Sequence, residues 1–191
     1  MLVAVANDGR EAAPAIDRRI AAAAAGDRRA ASALLTELLP RVRNLVRYLV
    51  RGDADVDDIA QQSLIEILRS LGSFRGEGSL GAWADRITSR VALAHMRRRR
   101  AERSRLDDGV SPELFPVASG DRPDDYLERR RMARALDALS DEQRSVMVLH
   151  HVVGMSLPEV AEQLGIPFET ARSRLRLGMT KVREALTGGT S

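Results

Sequence analysis

Apolar positions recur along most of this chain every three or four residues, the spacing of helices that lie on a core, and no long alternating run suggests a strand. From residue 17 to 100 one such segment follows another. "DRRIAAAAAGDRRAASALLTELLPRVRNLVRYLVRG" sets Leu38, Val42, Leu45 and Leu49 on one face, with Pro40 tolerable near a helix start. "DADVDDIAQQSLIEILRSLG" opens on acids that suit a helix amino end and closes at Gly72. After the loop "SFRGEG", Ser79 is the expected N-cap of a further helix, "SLGAWADRITSRVALAHMRRRR". Residues 101–125 lose all periodicity and hold three prolines and two glycines, the composition of a flexible linker. Helical patterning returns at Tyr126 with "YLERRRMARALDALS", "DEQRSVMVLHHVVG" and "SLPEVAEQLGIPFETARSRLRLGMTKVREAL". The expected fold is all-α, with two small helical domains on a tether. Its parts are a disordered tail over 1–17, a first domain over 18–100, the linker over 101–125 and a second domain over 126–187.

The last of these segments has the pattern of a helix-turn-helix. Leu157, Val160, Ala161 and Leu164 make one face of a short helix, and Gly165 permits the left-handed turn that reorients the chain. The next helix should begin near Pro167. At about 100° per residue, Ala171, Leu175, Gly178, Val182 and Leu186 form one narrow stripe. Opposite lie Glu169, Ser173, Arg176 and Thr180, flanked by Arg172 and Arg183. Such a face suits the major groove, where arginine reads guanine and a carboxylate accepts from cytosine. The bland alternative is a helix whose arginines only solvate it. Leu177 falls on the outward side, where periodicity gives it no role.

Composition sharpens the picture in three places. The 191 residues allow one medium domain or two small ones, with cores of Leu, Val, Ile, Ala and Met because aromatics make up only 3%. The net charge is only +3, yet Lys181 is the sole lysine among 30 basic residues. Arginine supplies a planar fork that grips phosphates and stacks on bases. Cysteine is absent, which excludes disulfides and thiolate metal sites, and of the three histidines, His95, His150 and His151, the adjacent pair cannot place both rings on one helical face to hold a metal. No metal and no cofactor are expected. The amino-terminal stretch lacks a signal peptide's basic and apolar regions, and no apolar run approaches the ~20 residues of a membrane span, so a cytoplasmic protein is expected.

Two features of the first half go beyond packing. In "DVDDIAQQSLIEIL" and the residues after it, Asp58, Gln61, Gln62 and Arg69 share a polar face while Val56, Ile59, Leu64, Ile67 and Leu71 turn inward. That face either meets solvent or binds another helix. Beyond it, "FRGEGSLGAWADRI" joins a glycine-containing loop to Trp83, and the same helix runs into the arginines 97–100, with Arg103 and Arg105 further on. An aromatic beside a basic track suits unpaired nucleic acid, although Trp83 packing on Ile87 is the competing reading.

These stretches, together with "ALSDEQRSVMVLHHVVGMSLPEVAEQLGIPFETARSRL", resemble the extracytoplasmic-function (group IV) sigma factors of bacterial RNA polymerase over roughly residues 30–187, in family order. The resemblance implies that the first domain is sigma region 2 and the second is region 4. It implies polymerase-core binding, through the beta-prime and beta subunits, by the helix spanning Asp55 to Leu71, with Asp55, Asp58, Gln61, Gln62 and Arg69 as contacts. It also implies −10 melting and reading by the loop Phe74, Arg75, Glu77 and Ser79 and the helix bearing Trp83, Arg86, Arg90, Arg97 and Arg98. The −35 element falls to Glu169, Thr170, Arg172, Ser173, Arg176 and Thr180. Promoter DNA, core polymerase and a separate anti-sigma factor are the implied partners, the last because only "TGGTS" follows region 4. This chain departs from the family at "RITSR", which puts Arg90 where asparagine is usual. It departs again at Ala94, where aspartate is common, and at "RLRLGM", which puts Leu177 in place of a frequent arginine. These departures bear on the promoter sequence and leave the fold expectation intact.

Two other classes compete. A conventional helix-turn-helix regulator would bind duplex DNA without polymerase, and would normally bring a dimerising or phosphoacceptor domain, of which no α/β periodicity is seen. An enzyme would need a phosphate loop, a ligand cluster or a nucleophile with its base, and none appears. The linker carries seven acids against three arginines, so it is either a plain solvated tether or an imitation of nucleic-acid charge.

Overall fold

The computed structural model describes residues 18–52, 54–106 and 135–187. Seven α-helices lie wholly within these residues, with no strand among them. The first half holds α1 (Arg18–Ala24), α2 (Arg28–Leu49), α3 (Val56–Ser70) and α4 (Leu80–Leu106), with a 3₁₀ turn at Leu71–Ser73. The second holds α5 (Asp141–His151), α6 (Leu157–Leu164) and α7 (Phe168–Thr187). The expected tail over 1–17, the linker beyond residue 106 and most of the helix expected from Tyr126 lie outside the described residues.

Three local differences from the sequence pattern have plain causes. The first long segment is split. Gly26 takes φ 96°, and the Asp27 carboxylate then caps α2 by accepting the N–H groups of Arg29 and Ala30 at 2.8 and 3.1 Å. Pro40 sits inside α2 rather than near its start. Its missing N–H forfeits one bond to the preceding turn, and the buried Leu38, Val42, Leu45 and Val46 around it hold the helix together. Helix α4 continues to Leu106, six residues into the stretch read as linker, because Ala101, Glu102 and Arg103 are good helix formers.

The core of the first half is the meeting of α2, α3 and α4, where Val42, Val46, Leu49, Ile59, Ile67 and Ile87 are fully buried. One ion pair sits at its edge. Arg41 donates from Nε and Nη2 to both oxygens of Asp85 at 2.8 and 2.7 Å, and Asp85 is only 3% exposed. This two-pronged bond raises the Arg41 pKa against the opposing effect of burial. Gly81 makes room for it, since a Cβ there would lie 3.1 Å from the guanidinium carbon.

The second half is held by caps as much as by core. Ser140 and Gln143 bond reciprocally at the start of α5. Gly165 ends α6 at φ 66°, ψ 40°, and the N–H of Ile166 reaches the Ala161 carbonyl at 3.0 Å. Helix α7 then buries Ala171, Gly178 and Val182, with Leu175 half-buried. Leu186, expected on the same stripe, is exposed. Helices α5 and α7 approach so closely that a Cβ on Gly178 would stand 2.9 Å from Met147 Cγ.

The two halves touch. Arg144 of α5, 2% exposed, donates to the Val50 carbonyl at the end of α2 at 2.9 Å and to the Leu136 carbonyl at 3.2 Å, and it pairs with Asp137. Burial lowers its pKa, and the Asp137 charge opposes that shift. Arg51 meets Asp141 at 2.7 Å and donates to the Leu139 carbonyl.

Candidate nucleic-acid interfaces

Helix α7 presents its predicted face to solvent. Glu169, Arg172, Ser173, Arg176 and Thr180 are exposed and Thr170 is half-buried. Their mutual restraint is light. Arg172 and Glu169 stand 3.7 Å apart, and the Thr180 hydroxyl bonds back to the Arg176 carbonyl at 3.3 Å. Leu177 is 48% exposed and Met179 38%, so this face has an apolar margin. Apolar contact of this kind is available to a thymine methyl.

Helix α4 carries the second basic face. Ser79 caps it, its hydroxyl accepting the Ala82 N–H at 3.1 Å, which fixes how the loop from Phe74 enters the helix. Phe74 and Trp83 meet with ring centroids 5.4 Å apart at 59°. Trp83 is half-buried over the buried Ile87, so packing and partial exposure coexist in one side chain. At about 100° per residue, Trp83, Arg86, Arg90 and Arg97 fall within about 60° of one another, with Arg98 beside them. Arg75, Glu77, Ser79, Arg86, Arg90, Arg97 and Arg98 are all exposed.

Two of these arginines already have partners on α6. Arg86 donates to Glu159 at 2.9 Å, and Arg97 donates to the Gln163 carbonyl at 2.8 Å. Gln163 also donates from Nε2 to the Ser89 hydroxyl at 3.0 Å. Glu159 is held in turn by the backbone N–H and hydroxyl of Ser156, each at 2.8 Å. Those bonds from Ser156, and then Arg86, pull its pKa down to about 2.

The outward face of α3 is the third surface. Asp58, Gln61, Gln62 and Arg69 are exposed together, as their spacing predicts. Asp55 stands apart from them. Its carboxylate turns toward α4, 3.4 Å from both His95 and Arg99. What the polar pattern missed is an apolar centre. Ile65 and Leu68 are each 39% exposed amid the glutamines, and Leu39 of α2 is exposed across a shallow groove of about 410 Å³. The signal was present, because neither Ile65 nor Leu68 fits the inward stripe of α3. Among the described residues, no cluster of three or more His, Asp or Glu is placed to hold a metal ion, and no helix is long and apolar enough to cross a membrane.

The chain matches the family models of Sigma-70 region 2 over residues 34–102 and of Sigma-70, region 4 over residues 129–182. It is 32% identical over 156 residues to the ECF RNA polymerase sigma factor SigM of Mycobacterium tuberculosis, spanning 81% of this chain and 76% of that one. It is 30% identical over 172 residues to the ECF RNA polymerase sigma-E factor of Salmonella typhimurium, spanning 84% and 86%. Two solved structures share the fold. The sigma factor RpoE, in complex with the anti-sigma factor NepR from Bartonella quintana, superimposes with TM-score 0.57 at 25% identity over 82% of this chain and 96% of that chain. CnrH, in complex with the cytosolic domain of CnrY, gives TM-score 0.52 at 26% identity over 91% and 97%.

Proposed function

The chain belongs to the sigma-70 family, in its extracytoplasmic-function branch, and on that premise we propose how its surfaces divide the work of promoter-specific transcription initiation. The outward face of α3 docks on core polymerase. Asp58, Gln61, Gln62 and Arg69 give polar register there, and Ile65 and Leu68 give the apolar contact. Asp55 orients the start of α3 through His95 and Arg99 rather than meeting the core itself. The loop with Phe74, Arg75, Glu77 and Ser79 leads into the −10 reader, where Trp83 captures a base and Arg86, Arg90, Arg97 and Arg98 hold the opened strand. Helix α7 reads the −35 duplex through Glu169, Thr170, Arg172, Ser173, Arg176 and Thr180. The protein performs no catalysis, takes no cofactor and acts in the cytoplasm on the polymerase's behalf. A separate anti-sigma factor holds it idle, a reading supported by the likeness to RpoE in its complex with the anti-sigma factor NepR.

The observation that carries this reading is the pair of arginine-bearing helices, α4 and α7, each in a stretch that matches one of the two sigma-70 regions. The test is reconstitution. Core polymerase plus this protein should start run-off transcripts at defined sites, and the protein alone should not bind the same duplexes. Tight binding of duplex promoter by the protein alone would favour the conventional regulator. Asp58→Arg should weaken co-purification with core by about 2–4 kcal/mol while the thermal melt stays unchanged, because reversing a charge at a complementary face costs several kcal/mol.

A further inference from the structure

Between the two halves lies a cavity of about 630 Å³ with a lining of two kinds. Val50, Leu93, Met96, Leu164 and Ile166 make it apolar, and five arginines line it together with three carboxylates. Each carboxylate is already matched. Arg51 holds Asp141 at 2.7 Å, Arg100 holds Glu142 at 2.9 Å, and Arg99 stands 3.4 Å from Asp55. Two guanidinium charges are left over. Arg97 of α4 donates to the Gln163 carbonyl, which is neutral. Arg174 of α7 is half-buried and makes no hydrogen bond or ion pair among the described residues. A guanidinium that has lost part of its water and gained no anion is costly to keep, and its planar donors match a phosphate.

We propose that this cavity is a binding site for a nucleoside polyphosphate, with phosphates on Arg97 and Arg174 and the base against the apolar side chains. The size fits, because cavities of about 300–1,000 Å³ hold organic ligands rather than simple anions. The carboxylates add selectivity. Ribose hydroxyls can donate to Asp55 or Glu142, whereas a ligand made only of phosphate would meet repulsion there. Arg97 and Arg174 come from different halves of the chain, so one ligand is gripped by both. Arg97 is also assigned to the opened strand, so occupancy would compete with −10 reading. That consequence rests on the proposed function, whereas the site itself does not.

Calorimetric titration of magnesium-free ATP and GTP into the free full-length chain tests the site without polymerase or promoter. At about 0.1 M salt, at least one of them should bind one-to-one with a Kd of about 0.1 mM or tighter. Inorganic triphosphate should bind about tenfold more weakly or worse. Arg174→Gln should weaken the nucleotide by about tenfold or more, since it removes the charge and the fork. Met96→Ser should weaken the nucleotide but leave inorganic triphosphate unchanged. Arg28→Ala, which removes an exposed charge at the start of α2, should change neither.

No saturable binding of either nucleotide would overturn the proposal. So would inorganic triphosphate binding as tightly as nucleotide, or equal losses in Arg174→Gln and Arg28→Ala, since both mark general attraction to arginine. Photo-crosslinking with 8-azido-ATP needs no variant and covers the case in which one fails to fold. The label should fall on peptides holding Met96 or Ile166, and labelling confined to other peptides would overturn the site. Nucleotide binding without any effect on fork-junction binding by the holoenzyme would leave the site standing and remove the competition at Arg97.

Discussion

Helices α4 and α7 both carry arginine on a face suited to nucleic acid, yet they sit in the molecule in opposite ways. Helix α7 buries the narrow line Ala171, Gly178 and Val182, half-buries Thr170, Arg174 and Leu175 beside it, and leaves the opposite face to solvent. Helix α4 is central. It buries Ala84, Asp85, Thr88 and Ala92 in its own half, and then has Arg86, Ser89 and Arg97 engaged by the other half. A face open to solvent binds with its intrinsic affinity. A covered face binds with that affinity reduced by the fraction of molecules in which it is free. Two arginine-bearing faces of similar chemistry therefore differ in exposure.

Five substitutions at four places break or sharpen that contrast. The largest effect belongs to the seat of α4. Arg41→Ala leaves the Asp85 carboxylate buried without its partner and should cost about 2–3 kcal/mol of stability in the first half. Hydrogen exchange should show α4 loosened and α7 untouched. Next comes the open reader. Arg176→Ala or Arg172→Ala should weaken −35 recognition by ~1–3 kcal/mol if each meets a base edge, with the loss confined to particular sequences. An equal loss on all sequences would mark phosphate contacts instead, and no loss would mean that the reading face of α7 is misassigned.

The turn that aims α7 is third. Gly165→Ala forces a side chain into the left-handed region at φ 66° and should lower the melting stability of the second half by about 1–2 kcal/mol. The smallest effect concerns the cover itself. The Glu159 carboxyl titrates near 2 in the folded chain, below its ordinary value, so its contribution is complete above about pH 5 and fades as pH falls toward 2. Glu159→Gln should remove that pH dependence at a cost of about 0.5 kcal/mol or less at neutral pH, because the half-buried carboxylate and its partner Arg86 both keep solvent access. A pH titration of the second half's unfolding, wild type against variant, reads the difference.

The fold was legible wherever a short-range rule governs. The turn at Gly165, the cap at Ser79 and the outward face of α7 each depend on residues within about a turn of one another. Legibility failed where partners are distant or where two rules compete. Arg86 and Glu159 are 73 positions apart, and no periodicity connects them. Pro40 lies mid-helix because tertiary burial overrides a local preference. Asp55 has the same residue type and neighbourhood as Asp58, and only the position of His95 and Arg99 on α4 turns it inward. Ile65 is the opposite case, an apolar residue whose exposure among the glutamines follows from local helical spacing alone.

The close approach of Gly178 to Met147 has a consequence for anyone building hybrids from related promoter readers. A recognition helix grafted from a relative would carry whatever side chain that relative has at position 178, and here even one methyl group would press on Met147 at 2.9 Å. Either Met147 or the graft would have to shift to relieve the pressure, and a shifted graft would carry its outward face out of place. The smallest part that can be exchanged is thus the pair α5 and α7 together, or α7 alone with Met147 trimmed to match.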